Sequence, residues 1–147
     1  MFVRAAFGRQ TAGSNSAVPR VPWHVCDVEI DYTASMQANL QRVFNERDVA
    51  KRNAAIDELF TETATLYEPE GIAIGRAAIS AAVTALHAAL PPSFVFVARG
   101  PAVGHHGVGR LHWTAGPPGG PVGATGTDVA QFEGSRIHAL YVFLDPA

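Results

Sequence analysis

Apolar residues recur at helical spacing through the first part of the chain and at every second position after about residue 94. The clearest helical pattern follows Gly75 and ends before Pro91, since proline has no amide hydrogen to donate. Its apolar residues, at i, i+4, i+7 and i+11, are Ile79, Val83, Leu86 and Leu90. Two earlier helices are predicted over 32–47, with Asp31 as the N-cap, and over 49–60.

Strands are predicted where the apolar residues alternate with polar ones or where β-branched and aromatic residues cluster. They cover residues 63–68, 71–74, 94–99, 107–114, 124–132 and 137–144. Because three helices and one small hairpin precede the main run of strands, the order indicates an α+β fold, not a doubly wound parallel sheet. A strongly curved, mostly antiparallel sheet around a helix would form a conical barrel with a cavity at its open end.

The composition predicts one globular domain. Of the 147 residues, 48% are hydrophobic and 16% are charged, which leaves apolar surface for a pocket or a dimer interface. The formal net charge of −2 and the lack of a basic run argue against nucleic acid as a partner. No apolar stretch approaches the ~18 residues of a membrane span, so no membrane partner is expected. Cys26 is the only cysteine, which excludes an intrachain disulfide and makes a cytoplasmic location the simplest one.

Residues 1–30 are predicted to form an N-terminal arm before a single domain, 31–147. Arginine, glycine and glutamine interrupt the first ten residues, so the continuous apolar core of a secretory signal is missing. The arm is expected either to be loosely ordered or to wrap a partner subunit. The residues suited to such a contact are Trp23, Val25 and Val28.

Two carboxylates stand at informative positions. The segment 63–79, TATLYEPEGIAIGRAAI, ends a strand at Glu68, directly before a proline. Asp128 shares a strand face with Ala130 and Phe132, which predicts that it points inward. A buried carboxyl group must be protonated or hydrogen-bonded, because an isolated buried charge is costly.

The predicted strand 107–114 has two faces that offer different chemistry. Arg110 and His112 share one face, from which Arg110 would hold an anionic oxygen and His112 would transfer protons. In the alternative, Leu111 and Trp113 face inward and Arg110 faces solvent or an interface. The pattern alone leaves both alternatives open.

No metal or cofactor is expected. Adjacent strand residues such as His105 and His106 point to opposite faces. At ~3.3 Å per residue, His106 and His112 lie ~20 Å apart, too far to share one ion. The one remaining set of side chains that could hold a metal ion is His112 and His138 with a carboxylate.

Four motifs, in their order and spacing, resemble the nuclear transport factor 2-like superfamily, and within it the SnoaL-like polyketide-cyclase and ketosteroid-isomerase branch. They are NLQRVFNERDVAKRNAAIDELF, ATLYEPEGIAIGRAAI, GRLHW and GTDVAQFEGSRIHALYVFLD. The resemblance implies a conical α+β barrel of the cystatin-like kind, commonly a homodimer packed through the sheet. It does not imply one activity, because the superfamily holds isomerases, cyclases, dehydratases and members that only bind ligands.

The resemblance also suggests roles for single residues. Glu68 falls where ketosteroid isomerases keep the carboxylate that shuttles a proton, and Asp128 where they keep an acid that donates a hydrogen bond to the enolate. Phe44 takes the place of their oxyanion tyrosine and cannot donate such a bond. Val142 takes the place of an aspartate of limonene epoxide hydrolases, so a water-activating arrangement is not expected.

Four residues are expected to contact a ligand: Phe44, Tyr67, Trp113 and Val142. Tyr67 alternates with Glu68 along its strand, so packing on the opposite side is the other interpretation of it.

The predicted function is binding of a small hydrophobic or cyclic metabolite by a homodimeric protein. If the protein is catalytic, cofactor-free isomerisation, cyclisation or dehydration is expected. Glu68 would be the base and Asp128 the oxyanion or proton donor, with Arg110 and His112 as polar auxiliaries. The alternative is a non-catalytic ligand-binding or dimerisation module, which the phenylalanine and valine departures favour.

Overall fold

The computed structural model describes residues 29–146, and three α-helices lie in the first half of that range. They are α1 (Tyr32–Ala38), which continues as a π-helical segment (Asn39–Phe44), α2 (Val49–Leu59) and α3 (Arg76–Ala89). Aspartates cap the first two helices. Asp31 accepts a hydrogen bond from the backbone of Ala34 at 2.9 Å, and Asp48 accepts one from the backbone of Lys51 at 3.1 Å.

Seven strands form one sheet. They are β1 (Phe60–Glu68), β2 (Gly71–Ile74), β3 (Val95–Ala98), β4 (Val103–His105), β5 (Val108–Gly116), β6 (Ala124–Glu133) and β7 (Arg136–Leu144). The order across the sheet is β2-β1-β7-β6-β5-β3, and β4 pairs with β5. Within the described residues every pair is antiparallel except β1 with β7. The predicted α+β class is therefore confirmed.

The largest differences from the predicted strands are an earlier start of β1 and one additional strand, while the bounds of β3, β5, β6 and β7 differ by one or two residues. β1 begins at Phe60, three residues earlier than predicted, directly where α2 ends. β4 was not predicted, because its three residues are too short to show an alternation. It turns back into β5 through His106 and Gly107, whose φ angles of 53° and 81° suit a tight hairpin turn.

The first helix ends at Phe44, three residues earlier than predicted. The backbone amide of Asn45 donates to the carbonyl of Leu40 at 2.8 Å, the i to i−5 bond of a π-helical turn. The Asn45 side chain then exchanges two hydrogen bonds with the backbone of Phe96 in β3, at 2.7 and 2.8 Å. Because these bonds hold Asn45 against the sheet, the chain leaves the helix here.

The helices cover one face of the sheet, the inner face, which carries the core. Leu66, Leu111, Ala130 and Leu140 belong to four adjacent strands and are buried there. Register irregularities interrupt the pairing of β1 with β7 and of β6 with β7. Such irregularities bend a sheet and increase its twist, as wrapping around helices requires.

A buried arginine fastens the helices to each other. Arg52 of α2 has only 1% of its surface exposed. It donates to the Ser80 hydroxyl at 3.2 Å and to the Thr84 hydroxyl, both in α3, and to the Glu46 carbonyl at 2.8 Å. The guanidinium thus holds α2, α3 and the turn after the π-helical segment together.

The predicted arm lies outside the described residues, apart from positions 29 and 30, so the arm stays a prediction. Among the helices of residues 29–146, none has the length and apolar character needed to cross a membrane.

Candidate functional site

A cavity of about 330 Å³ lies between the helices and the inner face of the sheet. Its walls are mostly apolar and aromatic. The π-helical segment supplies Leu40 and Phe44, α3 supplies Leu86, and β7 supplies Val142 and Leu144. The volume is at the lower end of the range for small-molecule sites, about 300–1,000 Å³, and suits a ligand of one or two rings.

Two aromatic residues of the wall are held in place by hydrogen bonds between their backbone atoms and the side chains of other residues. Asn45 binds the backbone of Phe96, and the His87 ring contacts the carbonyl oxygen of Phe44 at 2.6 Å. The rings of Phe44 and Phe96 pack edge to face, with centroids 6.1 Å apart. Helix α3, the π-helical segment and β3 therefore fix this part of the cavity together.

Three acids line the cavity: Glu68, Glu70 and Asp128. Glu68 ends β1 and Glu70 lies in the turn that leads into β2, where Glu68 pairs with Gly71. Asp128 comes from the inner face of β6. The fold thus brings Glu68 and Asp128, which are 60 positions apart in the sequence, to one cavity.

Asp128 is buried, with 3% of its surface exposed. The indole N–H of Trp113 donates to its Oδ1 atom at 2.8 Å. Burial raises the pKa of Asp128 to about 7, while the hydrogen bond from Trp113 acts in the opposite direction. This carboxyl group therefore exchanges its proton near neutral pH.

Glu68 is half-buried and belongs to the same cavity. Its loss of hydration raises the pKa of Glu68, and the neighbouring charge of Glu70 raises it further. Both predicted carboxyl groups are thus shifted in the direction that favours proton transfer at moderate pH.

The expectation that Arg110 and His112 face the cavity is wrong. Both are exposed on the outer face of β5, while Leu111 and Trp113 are buried on its inner face. The register explains this, because Leu111 pairs with Asp128 and adjacent residues alternate between faces.

On the outer face these two residues form a small polar network. The Arg110 guanidinium donates to Nε2 of His112 at 2.6 Å, and Nδ1 of His112 lies 2.7 Å from the hydroxyl of Thr127. The network has no access to the cavity through the sheet, so Arg110 and His112 are not placed to act on a ligand there.

Of the four residues expected to contact a ligand, Phe44, Trp113 and Val142 line the cavity. Tyr67 does not. It lies on the outer face, where its ring stacks on Tyr141 with centroids 4.4 Å apart and planes 8° from parallel. Its neighbour Glu68 takes the inner face, so the alternation of the strand excludes Tyr67 from the cavity.

Sequence reasoning missed several residues of the site. Glu70 was not predicted as a site residue, although a two-residue turn leaves it beside Glu68. Phe94 and Phe96 were not predicted as site residues either, but both line the cavity. Alternation along 94–99 would have placed them on one shared face without showing what that face covers.

The sequence and the fold have counterparts among known proteins. Residues 38–140 match the family model of the SnoaL-like domain. The chain is similar to the structure of a proposed isomerase of the SnoaL-like family from Agrobacterium tumefaciens strain C58. The two are 27% identical, with a TM-score of 0.73, and the match covers 79% of this chain and 98% of that one.

Two further structures share the fold at lower identity. A proposed polyketide cyclase from Sinorhizobium meliloti is 19% identical, with a TM-score of 0.58, over 74% of this chain and 93% of that one. A protein of unknown function from Cytophaga hutchinsonii, described as nuclear transport factor 2-like, is 14% identical, with a TM-score of 0.59, over 80% and 93%. No curated protein sequence matches the chain. The family match spans well over half of the chain, and the chain belongs to the SnoaL-like domain family.

Proposed function

We propose that the protein binds a small hydrophobic or cyclic metabolite in the cavity and moves a proton on it without a cofactor. One observation carries this proposal: Glu68 and Asp128 line the same apolar cavity. Burial raises the pKa of both groups. Two carboxyl groups shifted in this way inside one cavity are typical of acid–base catalysis.

Asp128 would act as the hydrogen-bond donor. Its Oδ1 atom already accepts the bond from Trp113, so in the neutral acid the proton belongs on Oδ2. From there it can donate to a ligand oxygen. When a carbon next to a carbonyl group loses a proton, negative charge develops on that carbonyl oxygen, and a donor placed there lowers the barrier.

Glu68 would act as the base. Its carboxylate takes the proton from the carbon between the carbonyl group and a β,γ double bond, and the resulting acid returns the same proton to the γ-carbon of the dienolate. This sequence is an isomerisation that conserves all atoms and needs no redox partner. Cyclisation and dehydration can begin with the same proton removal, so the pair suits these reactions as well.

A non-catalytic binding protein is the second candidate, and Phe44 is the observation that favours it. It lines the cavity at the position where the resemblance to ketosteroid isomerases calls for a tyrosine donor. Without that hydroxyl group, Asp128 would be the single donor for a developing enolate oxygen. A cavity that only shelters an apolar molecule needs no second donor.

Hydrogen exchange at the α-carbon of a cyclic ketone separates the two candidates. With 1-indanone in heavy water, we expect the protein to speed the replacement of the α-protons by deuterium in proportion to its concentration, because the exchange needs only a base and a donor. Proton NMR follows the loss of the α-proton signal, and calorimetry measures binding of the ketone. If the ketone binds but exchanges at the buffer rate, the catalytic proposal is wrong and the binding candidate stands.

We also propose that two copies pair through the outer face of the sheet. That face carries large apolar side chains that are 39–71% exposed in the single chain. They are Ile72, Ile74, Val97, Val103, Val108, Tyr141 and Phe143. Large apolar side chains left exposed on one face of a sheet often mark a protein–protein interface.

Replacing Tyr141 and Phe143 together by glutamate is expected to give a monomer, since four carboxylates would meet across a symmetric interface. Light scattering after gel filtration should show about 15.5 kDa for the variant and twice that mass for the wild type. Val122, an exposed loop residue, provides the matched control, and Val122→Glu should remain dimeric. A monomeric wild type would contradict the proposal.

A further inference from the structure

The charge of the cavity has one sign. Among the residues that line it in the described part of the chain, the ionisable ones are all acids: Glu68, Glu70 and Asp128. Arg110 and His112 lie on the other side of the sheet. Among the described residues, the ligand therefore meets carboxyl groups at the cavity wall and no side chain that could neutralise an anion.

The acids lie at different depths. Glu70 is exposed in the turn at the rim, Glu68 is half-buried, and Asp128 is almost completely buried. The wall around them consists mostly of apolar and aromatic side chains. A ligand would thus place its ring against the inner wall and any charged group at the rim.

Asp128 gives an independent sign that the cavity is built for a polar ligand atom. It is 3% exposed, and its Oδ1 atom is bonded to Trp113. Within residues 29–146, the hydrogen bond that Asp128 makes through its side chain is this one to Oδ1, and Asp128 lines the cavity. Its other carboxyl oxygen is therefore available to a polar atom of a ligand.

This arrangement discriminates between ligands by charge. A carboxylate on the ligand would be repelled at the rim and would lose hydration without a compensating cation. An ammonium group would gain from the carboxylates near the rim. A site that offers no opposite charge to an anionic ligand selects against anionic ligands.

We propose that the ligand is a cyclic molecule with a basic amino group, whose ring fills the apolar wall of the cavity and whose ammonium group is bound by Glu70 at the rim. The proposal rests on the proposed function for the cavity itself and adds the charge of the ligand. Glu70 is the binding carboxylate because it is exposed and follows the strand end. Glu68 lies deeper in the cavity and stays free to act on a carbon of the ring.

Three probes that share one ring system test the proposal by calorimetry: 2-aminoindane, 2-indanol and indane-2-carboxylate. At pH 7.5 and low salt we expect the amine to bind about tenfold more tightly than the alcohol, and the carboxylate more weakly than the alcohol. The preference for the amine should shrink in 0.5 M salt, because screening weakens charge interactions near the surface.

Glu70→Gln assigns the effect to one residue. It should remove most of the advantage of the amine and leave the affinity for 2-indanol within about twofold. Glu62→Gln is the matched control, since Glu62 is an exposed acid of β1 ~20 Å along the strand from Glu68 at ~3.3 Å per residue. That variant should keep the preference of the wild type.

The outcomes separate this inference from the proposed function. If the alcohol binds as tightly as the amine, or the carboxylate binds best, the charge proposal is overturned and the cavity remains a ligand site. If the preference for the amine survives in Glu70→Gln, Glu70 is not its source and the proposal is wrong. If none of the three probes binds, the ligand-binding function of the cavity fails together with this inference.

Discussion

Replacing Glu68 with glutamine is expected to slow the α-proton exchange of a bound cyclic ketone by about 10²–10⁴-fold. Glutamine keeps the size of the side chain and its place in the cavity wall but cannot accept a proton at neutral pH. Affinity for the ketone should change by no more than a few fold, because the apolar wall supplies most of the binding surface. NMR-detected exchange and calorimetry on the same samples separate the two effects.

Two results would identify the role of Glu68 more closely. Glu62→Gln, the same change at an exposed position of β1, should exchange at the wild-type rate. In the wild type the rate should rise with pH as Glu68 ionises, from a pKa above its ordinary value, and fall again as Asp128 ionises with a pKa of about 7. Unchanged exchange in Glu68→Gln would show that another group is the base.

Replacing Asp128 with asparagine is expected to stabilise the protein at pH 8 and to have little effect below the ordinary pKa of aspartate, 3.8. The pKa of Asp128 is about 7 in the folded chain, against 3.8 for an ordinary aspartate. Between these values the folded state binds more protons than the unfolded state, so the stability of the wild type falls as pH rises from about 4 to about 7. Above that range a buried charge must be accommodated, which asparagine avoids.

The expected gain at pH 8 is on the order of 2–4 kcal/mol, from 1.36 kcal/mol per unit of pKa difference. That corresponds to a rise of roughly 5–10 °C in Tm. The asparagine oxygen can still accept the bond from Trp113, so the packing of the indole should be kept. Asp57→Asn, at an exposed carboxylate, is the control and should not show this pH-dependent gain. Equal stability of wild type and Asp128→Asn at pH 8 would contradict a raised pKa.

The same substitution should reduce the exchange activity, because an amide donates a weaker hydrogen bond to an enolate than a carboxylic acid does. A variant that gains stability and loses activity would show that the folded state carries this buried acid at a cost to its stability.

Local patterns were sufficient for the placement of the two carboxyl groups. Alternation along one strand put Asp128 on the same face as Ala130, and the core of any two-layer fold lies on the apolar face. The end of an alternating strand put Glu68 beside the inner face in the same way. Both arguments need only the period of a strand and the apolar neighbours of the residue.

Which residues of β5 point inward could be decided only from the strand with which β5 pairs. Leu111 and Trp113 form the more apolar of the two alternating faces, but Arg110 and His112 on the other face are side chains that a reactive cavity could also use. Only the pairing of Leu111 with Asp128 decides which set is inside. The π-helical segment is likewise a tertiary effect, since the bonds between Asn45 and Phe96 in β3 end the helix.

The position of β7 has a consequence for how the protein folds. β7 is the last strand along the described residues, yet it lies inside the sheet, between β6 and the earlier strand β1. Its parallel pairing with β1 brings together Leu66 and Leu140, which are far apart in the sequence. Closing the sheet between these strands is therefore slow compared with the formation of the hairpins. Until β7 is inserted, the edge of β1 is unpaired and Glu68 has no cavity to face. The binding site therefore cannot be complete before β7 pairs with β1, and until then the chain exposes an open strand edge.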